Sequence, residues 1–205
     1  MGIRSKVYSG NPLSLRACYY KNMNQRVIVL RGTPASGKST IAKSYRNFEE
    51  KFAWIKVDNF KDFFADDSTP ALEYVNGSAI ATLEYLLDQG FSVIIEGVFQ
   101  NPRTMEIAFS ASVSRGIPCM IFELETPLDV LKQRDNERSG KVGAEVIERI
   151  YHTLKETQRT DSIKLDTADN SLDECRKIID QSFESWGKND KEFNRAVLDF
   201  LESGS

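Results

Sequence analysis

Histidine and cysteine are scarce in this 205-residue chain: His152 stands alone, and Cys18, Cys119 and Cys175 are widely spaced with no Cys-x-x-Cys pair. That composition argues against a zinc site or a disulfide framework and points to a reducing compartment. Long apolar runs are also missing. None approaches the roughly 18 residues of a membrane span, the first residues lack the apolar core of a secretion signal, and Lys6 stands where a myristoylation signal needs Ser or Thr. The expectation is a cytoplasmic protein with no membrane partner. No charge of one sign dominates: 27 basic against 30 acidic residues leave a formal net charge of −3. A nucleic-acid partner is possible but not favoured, because a local patch would have to replace the missing overall field.

What is present is a hydrophobic content of 40 %, enough for one good core with short appendages. Residues 1–25 show no clear periodicity and read as an N-terminal extension. From Arg26 onward, short runs rich in Val, Ile and Phe at 26–30, 52–57, 91–95, 118–124 and 162–166 read as buried strands. Between them, 38–47, 70–89, 102–115, 127–138, 144–157 and 172–186 carry apolar residues at helical spacing. This alternation predicts an α/β chain of three layers, a parallel five-stranded sheet with helices on both faces. Together with the Gly-Thr-Pro-Ala-Ser-Gly-Lys-Ser loop at 32–39 it gives the expectation of a P-loop NTPase fold with a small helical lid. Thr126 before Pro127 predicts a hydroxyl N-cap with proline at the first helical position. Gly90 and Gly116 are placed for left-handed C-caps. The main domain is expected over 26–186. A C-terminal tail follows over 187–205, where Phe193, Val197, Phe200 and Leu201 would share one face of a short helix.

Residues 32–39, Gly-Thr-Pro-Ala-Ser-Gly-Lys-Ser, satisfy G-x-x-x-x-G-K-[ST] in full, between a strand pattern and a helical one. Gly32 and Gly37 permit the backbone to turn successive N–H groups inward, so Thr33, Pro34, Ala35, Ser36 and Thr40 belong to the same anion cradle. Lys38 is placed for the β- and γ-phosphates and the Ser39 hydroxyl for Mg²⁺. ATP with magnesium is the expected ligand pair.

The loop alone does not choose among GTPases, motor ATPases and kinases. After it there is no Asn-Lys-x-Asp to read guanine and no Asp-x-x-Gly placed as a γ-phosphate switch, and the chain is short for a motor. A kinase needs an acid for the acceptor and mobile cations over the phosphates. Asp58 ends the second strand pattern, where the ligand crevice of a parallel sheet lies. It is either the group that accepts or orients the acceptor hydroxyl, or an N-cap for a helix starting at Asn59. Arg134 and Arg138, four residues apart, would share one helical face and arm a lid over about 134–145. Glu96 closes an apolar strand and either holds a magnesium-bound water or a substrate group, or stabilises a turn. Glu123 and Glu125 are weaker candidates. Among Phe60, Phe63 and Phe64, at least two are expected in the core.

The stretches "RGTPASGKST", "VDNF", "IIEGVFQNPR", "LKQRDNERSGKV" and "KLDTADNSLDECRKII" resemble, in this order, the small P-loop kinases: polynucleotide 5′-hydroxyl kinases, chloramphenicol phosphotransferase and zeta toxins. The resemblance implies that Asp58 is the general base and Arg138 the lid arginine, with Arg134 beside it. It sets Lys61 where polynucleotide kinases carry an arginine on nucleic-acid phosphate, and it makes the "DTADNS" turn similar to the loop beside adenine. The crevice walls, and with them the acceptor contacts, are expected in 59–76 and 97–106, with Lys61, Glu96 and Arg103 as candidates. Three functions remain open: a kinase for a small-molecule, nucleoside-like or sugar-nucleotide hydroxyl; a polynucleotide 5′-kinase with a basic entrance at Lys61 and Arg103; and a nucleotide-dependent switch or binding module. Neither the acceptor nor the oligomeric state is readable from the sequence.

Overall fold

A computed structural model describes residues 25–64 and 69–188; the expected tail helix and Cys18 lie outside them. Five strands, β1 (Val27–Arg31), β2 (Phe52–Lys56), β3 (Ser92–Gly97), β4 (Cys119–Glu125) and β5 (Ile163–Asp166), form one sheet in the order β2-β3-β1-β4-β5. Every neighbouring pair is parallel. All residues of β1 and β3 are buried, as strands covered on both faces must be. The connections carry α1 (Lys38–Phe48), α2 (Thr69–Asp88), α3 (Arg103–Val113), α4 (Leu128–Glu137) and α5 (Ala144–Glu156), and α6 (Leu172–Lys188) follows β5.

The two-residue period of β1 divides the core. Val27 and Val29 point into a cluster with Val75, Leu83 and Met105, from α2 and α3. Ile28 and Leu30 point into a second, with Ile41 and Tyr45 of α1, Phe122 and Ile179 of α6. Each fully buried aliphatic or aromatic side chain contributes roughly 1.5–3 kcal/mol relative to exposure. Gly90 and Gly116 do take positive φ, 83° and 67°, behind α2 and α3.

Two local expectations are corrected. The N-cap of α4 is Pro127, and no side chain caps it. The Thr126 hydroxyl instead meets Thr167 Oγ1 at 2.6 Å, a buried bond that outbids an exposed cap. No α-helix begins at Asn59: a 3₁₀ helix spans Val57–Phe63, and Asp58 sits in its first turn behind an N-cap at Lys56. Asp58 is therefore not a cap. Phe60 and Phe64 pack on the first core cluster while Phe63 is exposed, in line with the expectation of at least two in the core.

Candidate active site

The strand C-termini open onto a cavity of about 520 Å³, whose lining includes Lys38, Ser39, Lys56, Asp58, Glu96, Arg134 and Arg138. β1 delivers its floor. Beyond Arg31 the chain turns through Ala35 at φ 68° and Gly37 at φ 94°, the alternation of hand that points backbone N–H groups inward. Gly32 has no room for a side chain: a Cβ there would stand 2.7 Å from Ser36 Oγ and 3.1 Å from Leu124 Cβ. Gly37 is also the N-cap of α1 and supplies no side-chain oxygen, so the helix dipole faces the cavity.

Lys38 folds back over this loop, donating to the carbonyls of Gly32 at 2.8 Å and Thr33 at 2.9 Å. Burial lowers its pKa to about 8, against the pull of Glu96 and Asp58. Ser39 Oγ donates to Glu96 Oε1 at 2.6 Å, and Trp54 Nε1 donates to the same oxygen at 3.2 Å. Glu96 is 2 % exposed, and burial raises its pKa even though Ser39 and Lys38 favour the anion. Its second oxygen, Oε2, is buried with no partner among the described residues.

That orphaned oxygen beside a serine hydroxyl fits a hard cation. Mg²⁺ keeps several waters and takes few protein ligands, so one hydroxyl and one carboxylate suffice. Ser39 would be a direct ligand and Glu96 the acceptor of a metal-bound water.

Across the cavity the expected cations are present with their charges engaged. Arg134, in the last turn of α4, donates through Nη2 to the Thr167 carbonyl at 2.7 Å. Arg138 does not share its helical face, because α4 ends at Glu137 and Arg138 is extended at φ −89° and ψ 158°. It reaches the cavity from the following segment and ion-pairs with Asp135 at 2.6 Å. Asp135 also accepts the N–H groups of Val142 and Gly143 at 2.9–3.1 Å. Burial pushes its carboxyl up, but these N–H groups and Arg138 outweigh it and leave the pKa below the usual range. Asp135 is 2 % exposed.

Asp58 is half exposed and ion-pairs with Lys61 at 2.8 Å. Lys61 does not line the cavity, nor does Arg103, exposed at the start of α3. Of the expected walls, Gly97 and Val98 border the cavity, whereas beyond Asp58 none of the described residues of 59–76 does. Glu123 is a structural group: Arg31, 1 % exposed, donates to it at 2.5 Å, and Lys164 pairs with its other oxygen. Glu125 lies 3.8 Å from Lys155. Sequence reasoning missed Lys56, Trp54 and Asp135. The first two alternate with Phe52 along β2, a period that would have set them on the α1 side.

A sequence model of the AAA domain family matches residues 27–159, well over half of the chain. The chain belongs to this family. The L-seryl-tRNA(Sec) kinase of Methanococcus maripaludis is 28 % identical over 160 residues, covering 74 % of this chain and 60 % of that protein. This chain thus spans less than two thirds of that relative. Among solved structures, the Mycobacterium tuberculosis APS kinase in complex with AMPPNP and APS superposes with a TM-score of 0.56 at 20 % identity, over 76 % of this chain and 96 % of that one. A chain of the Pnkp1/Rnl/Hen1 RNA repair complex gives 0.56 at 20 % identity, over 67 % and 47 %. The fold is that of the P-loop kinases, and no helix among the described residues is long and apolar enough to cross a membrane.

Proposed function

We propose that the chain is an ATP-dependent kinase that transfers the γ-phosphoryl group to a hydroxyl of a small-molecule, nucleoside-like or sugar-nucleotide acceptor. The observation that carries this reading is one cavity in which a phosphate loop, a Ser39–Glu96 pair, Asp58 and two arginines converge. Ser39 and Glu96 would hold Mg²⁺, which when bound would supply charge neutralisation for the transferred phosphoryl group. Lys38 exchanges the carbonyls of Gly32 and Thr33 for phosphate oxygens, and the loop N–H groups hold the remainder. Asp58, in the same cavity, takes or orients the acceptor proton, and its ion pair with Lys61 positions the carboxylate. Arg134 and Arg138 set positive charge where negative charge spreads, and the segment beyond α4 excludes water. Thr167, Asn170, Leu172 and Cys175, from the turn after β5 and the start of α6, line the same cavity and supply a wall for the nucleoside.

A second reading, a hydroxyl carried on RNA, is favoured by the relative named as a tRNA kinase. Against it stand the net charge of −3 and the Lys61–Asp58 pair. One screen separates the readings: labelled ATP against sugars, nucleosides, sugar nucleotides, 5′-hydroxyl oligonucleotides and aminoacylated tRNA. Transfer to any of these that disappears in Asp58→Asn with nucleotide binding intact supports the kinase. Nucleotide binding without transfer to any hydroxyl would make the chain a switch or binding module.

A further inference from the structure

We propose that Trp54 is a positioning residue of the magnesium site, whose indole N–H fixes the Glu96 carboxylate with one oxygen committed and the other free for a metal-bound water. The proposal rests on the reading of the cavity as a Mg²⁺–ATP site.

The geometry is asymmetric at Glu96. Oε1 accepts both the Ser39 hydroxyl at 2.6 Å and the Trp54 N–H at 3.2 Å, while Oε2 is buried with no partner among the described residues. Leaving a buried carboxylate oxygen unpaired is unfavourable unless a ligand group completes it. Rotating the carboxylate to exchange its oxygens would break two bonds to a charged acceptor, which are about twice as strong as neutral ones. Because Ser39 spends its proton on Oε1, its lone pairs remain for the cation. Trp54 does not line the cavity. It acts through Glu96, as groups behind a metal's direct ligands commonly do.

The indole is itself held. The Arg46 guanidinium stands 5.2 Å from the ring centroid, and Arg46 lies on α1 seven residues after Ser39. Ser39, Glu96, Trp54 and Arg46 therefore form a closed path that begins and ends on one helix and crosses β3 and β2. A tryptophan serving only to pack would need no such path, although Trp54 does pack on the second core cluster.

Trp54→Phe separates the two roles, since it keeps an aromatic ring and removes the N–H. The whole chain is titrated with AMPPNP by calorimetry, first in EDTA and then at rising Mg²⁺. The expected result is an unchanged metal-free affinity and about a tenfold rise in the Mg²⁺ concentration that gives half of the metal-dependent gain. A wild-type Mg²⁺ dependence overturns the proposal, as does an equal loss with and without metal, which is the signature of packing alone. The chain holds two tryptophans, Trp54 and Trp186, so Trp186→Phe isolates Trp54 emission in a chain that retains the indole. Adding Mg²⁺ to its AMPPNP complex should change that emission, and an unchanged spectrum also refutes the role. If the wild-type chain binds no AMPPNP at all, the nucleotide reading itself fails; if it binds normally and only Trp54→Phe is silent, this inference alone fails.

Discussion

Nucleotide affinity should fall as pH rises from 7 to 9, because the phosphate-binding lysine is a weak ammonium before the ligand arrives. Lys38 has two carbonyl acceptors and no carboxylate in contact, and burial lowers its pKa from 10.5 to about 8. Phosphate oxygens would return the ammonium to its ordinary range. With a free-chain pKa near 8, about ten chains in eleven carry the charge at pH 7 and about one in eleven at pH 9. Binding at pH 9 must then take up nearly one proton, and the affinity drops about tenfold, or ~1.4 kcal/mol. Calorimetry with AMPPNP and Mg²⁺, in two buffers of different ionisation enthalpy, measures both quantities. An affinity constant within twofold and no proton uptake at pH 9 would refute the reasoning; Lys38→Met should bind weakly and show no pH dependence from this group. The sign for stability is opposite to that of an ordinary ion pair. Since the folded pKa lies below the unfolded one, the unfolded chain holds more protons between pH 8 and 10.5, and the ligand-free chain gains stability as pH rises through that window. At pH 7 Lys38→Met should stabilise the ligand-free chain, by at most about 3 kcal/mol, less whatever water in the cavity recovers.

Asp58→Asn should lower kcat by about 10² to 10⁴ while AMPPNP affinity stays within twofold, measured once an acceptor is in hand. Gly32→Ala forces a Cβ to within 2.7 Å of the buried Ser36 hydroxyl; it should lower thermal stability by about 1–3 kcal/mol and abolish AMPPNP binding by displacing the loop. Asp135→Ala releases Arg138 and the N–H groups of Val142 and Gly143; KM for ATP should rise about tenfold, with faster proteolysis within 138–143. Glu123→Ala leaves Arg31 charged and buried without its carboxylate, and urea denaturation should show a loss of about 3–5 kcal/mol with no selective effect on nucleotide binding.

The parts of the molecule that were legible are those written in consecutive residues. Each strand and α-helix begins and ends within about two residues of its sequence pattern, because burial on one or both faces imposes a period that side chains must obey. The phosphate loop is contiguous, so its glycines, lysine and serine declare themselves. What was hidden depends on partners distant in the chain. Thr126 looked like a cap because Thr167, 41 residues later, is invisible to local reasoning. Arg31 and Glu123 lie 92 residues apart, and register across β1 and β4 alone makes them neighbours. Arg138 was assigned to a helical face that ends one residue too soon, for the pull of Asp135 on the following backbone competes with continuation of α4.

The cations of the site divide by what holds them. Thr167 Oγ1 donates to the Ser36 carbonyl at 2.9 Å, so Thr126 must be the donor to Thr167, and the Thr167 carbonyl accepts Arg134 at 2.7 Å. The phosphate loop, the turn after β5 and the end of α4 are thereby tied through one buried threonine. Arg134 can engage a ligand without leaving that tie, since a guanidinium has further donors. Lys38 and Arg138 differ. One rests on loop carbonyls, neutral acceptors weaker than a phosphate oxygen, and the other on a carboxylate that two backbone N–H groups also satisfy. Ligand binding therefore asks little of the frame and concentrates rearrangement on two side chains. For Lys38 that rearrangement appears as proton uptake above pH 8, and for Arg138 as a turn of its guanidinium from Asp135 toward the phosphates, while Asp135 keeps the N–H groups of Val142 and Gly143.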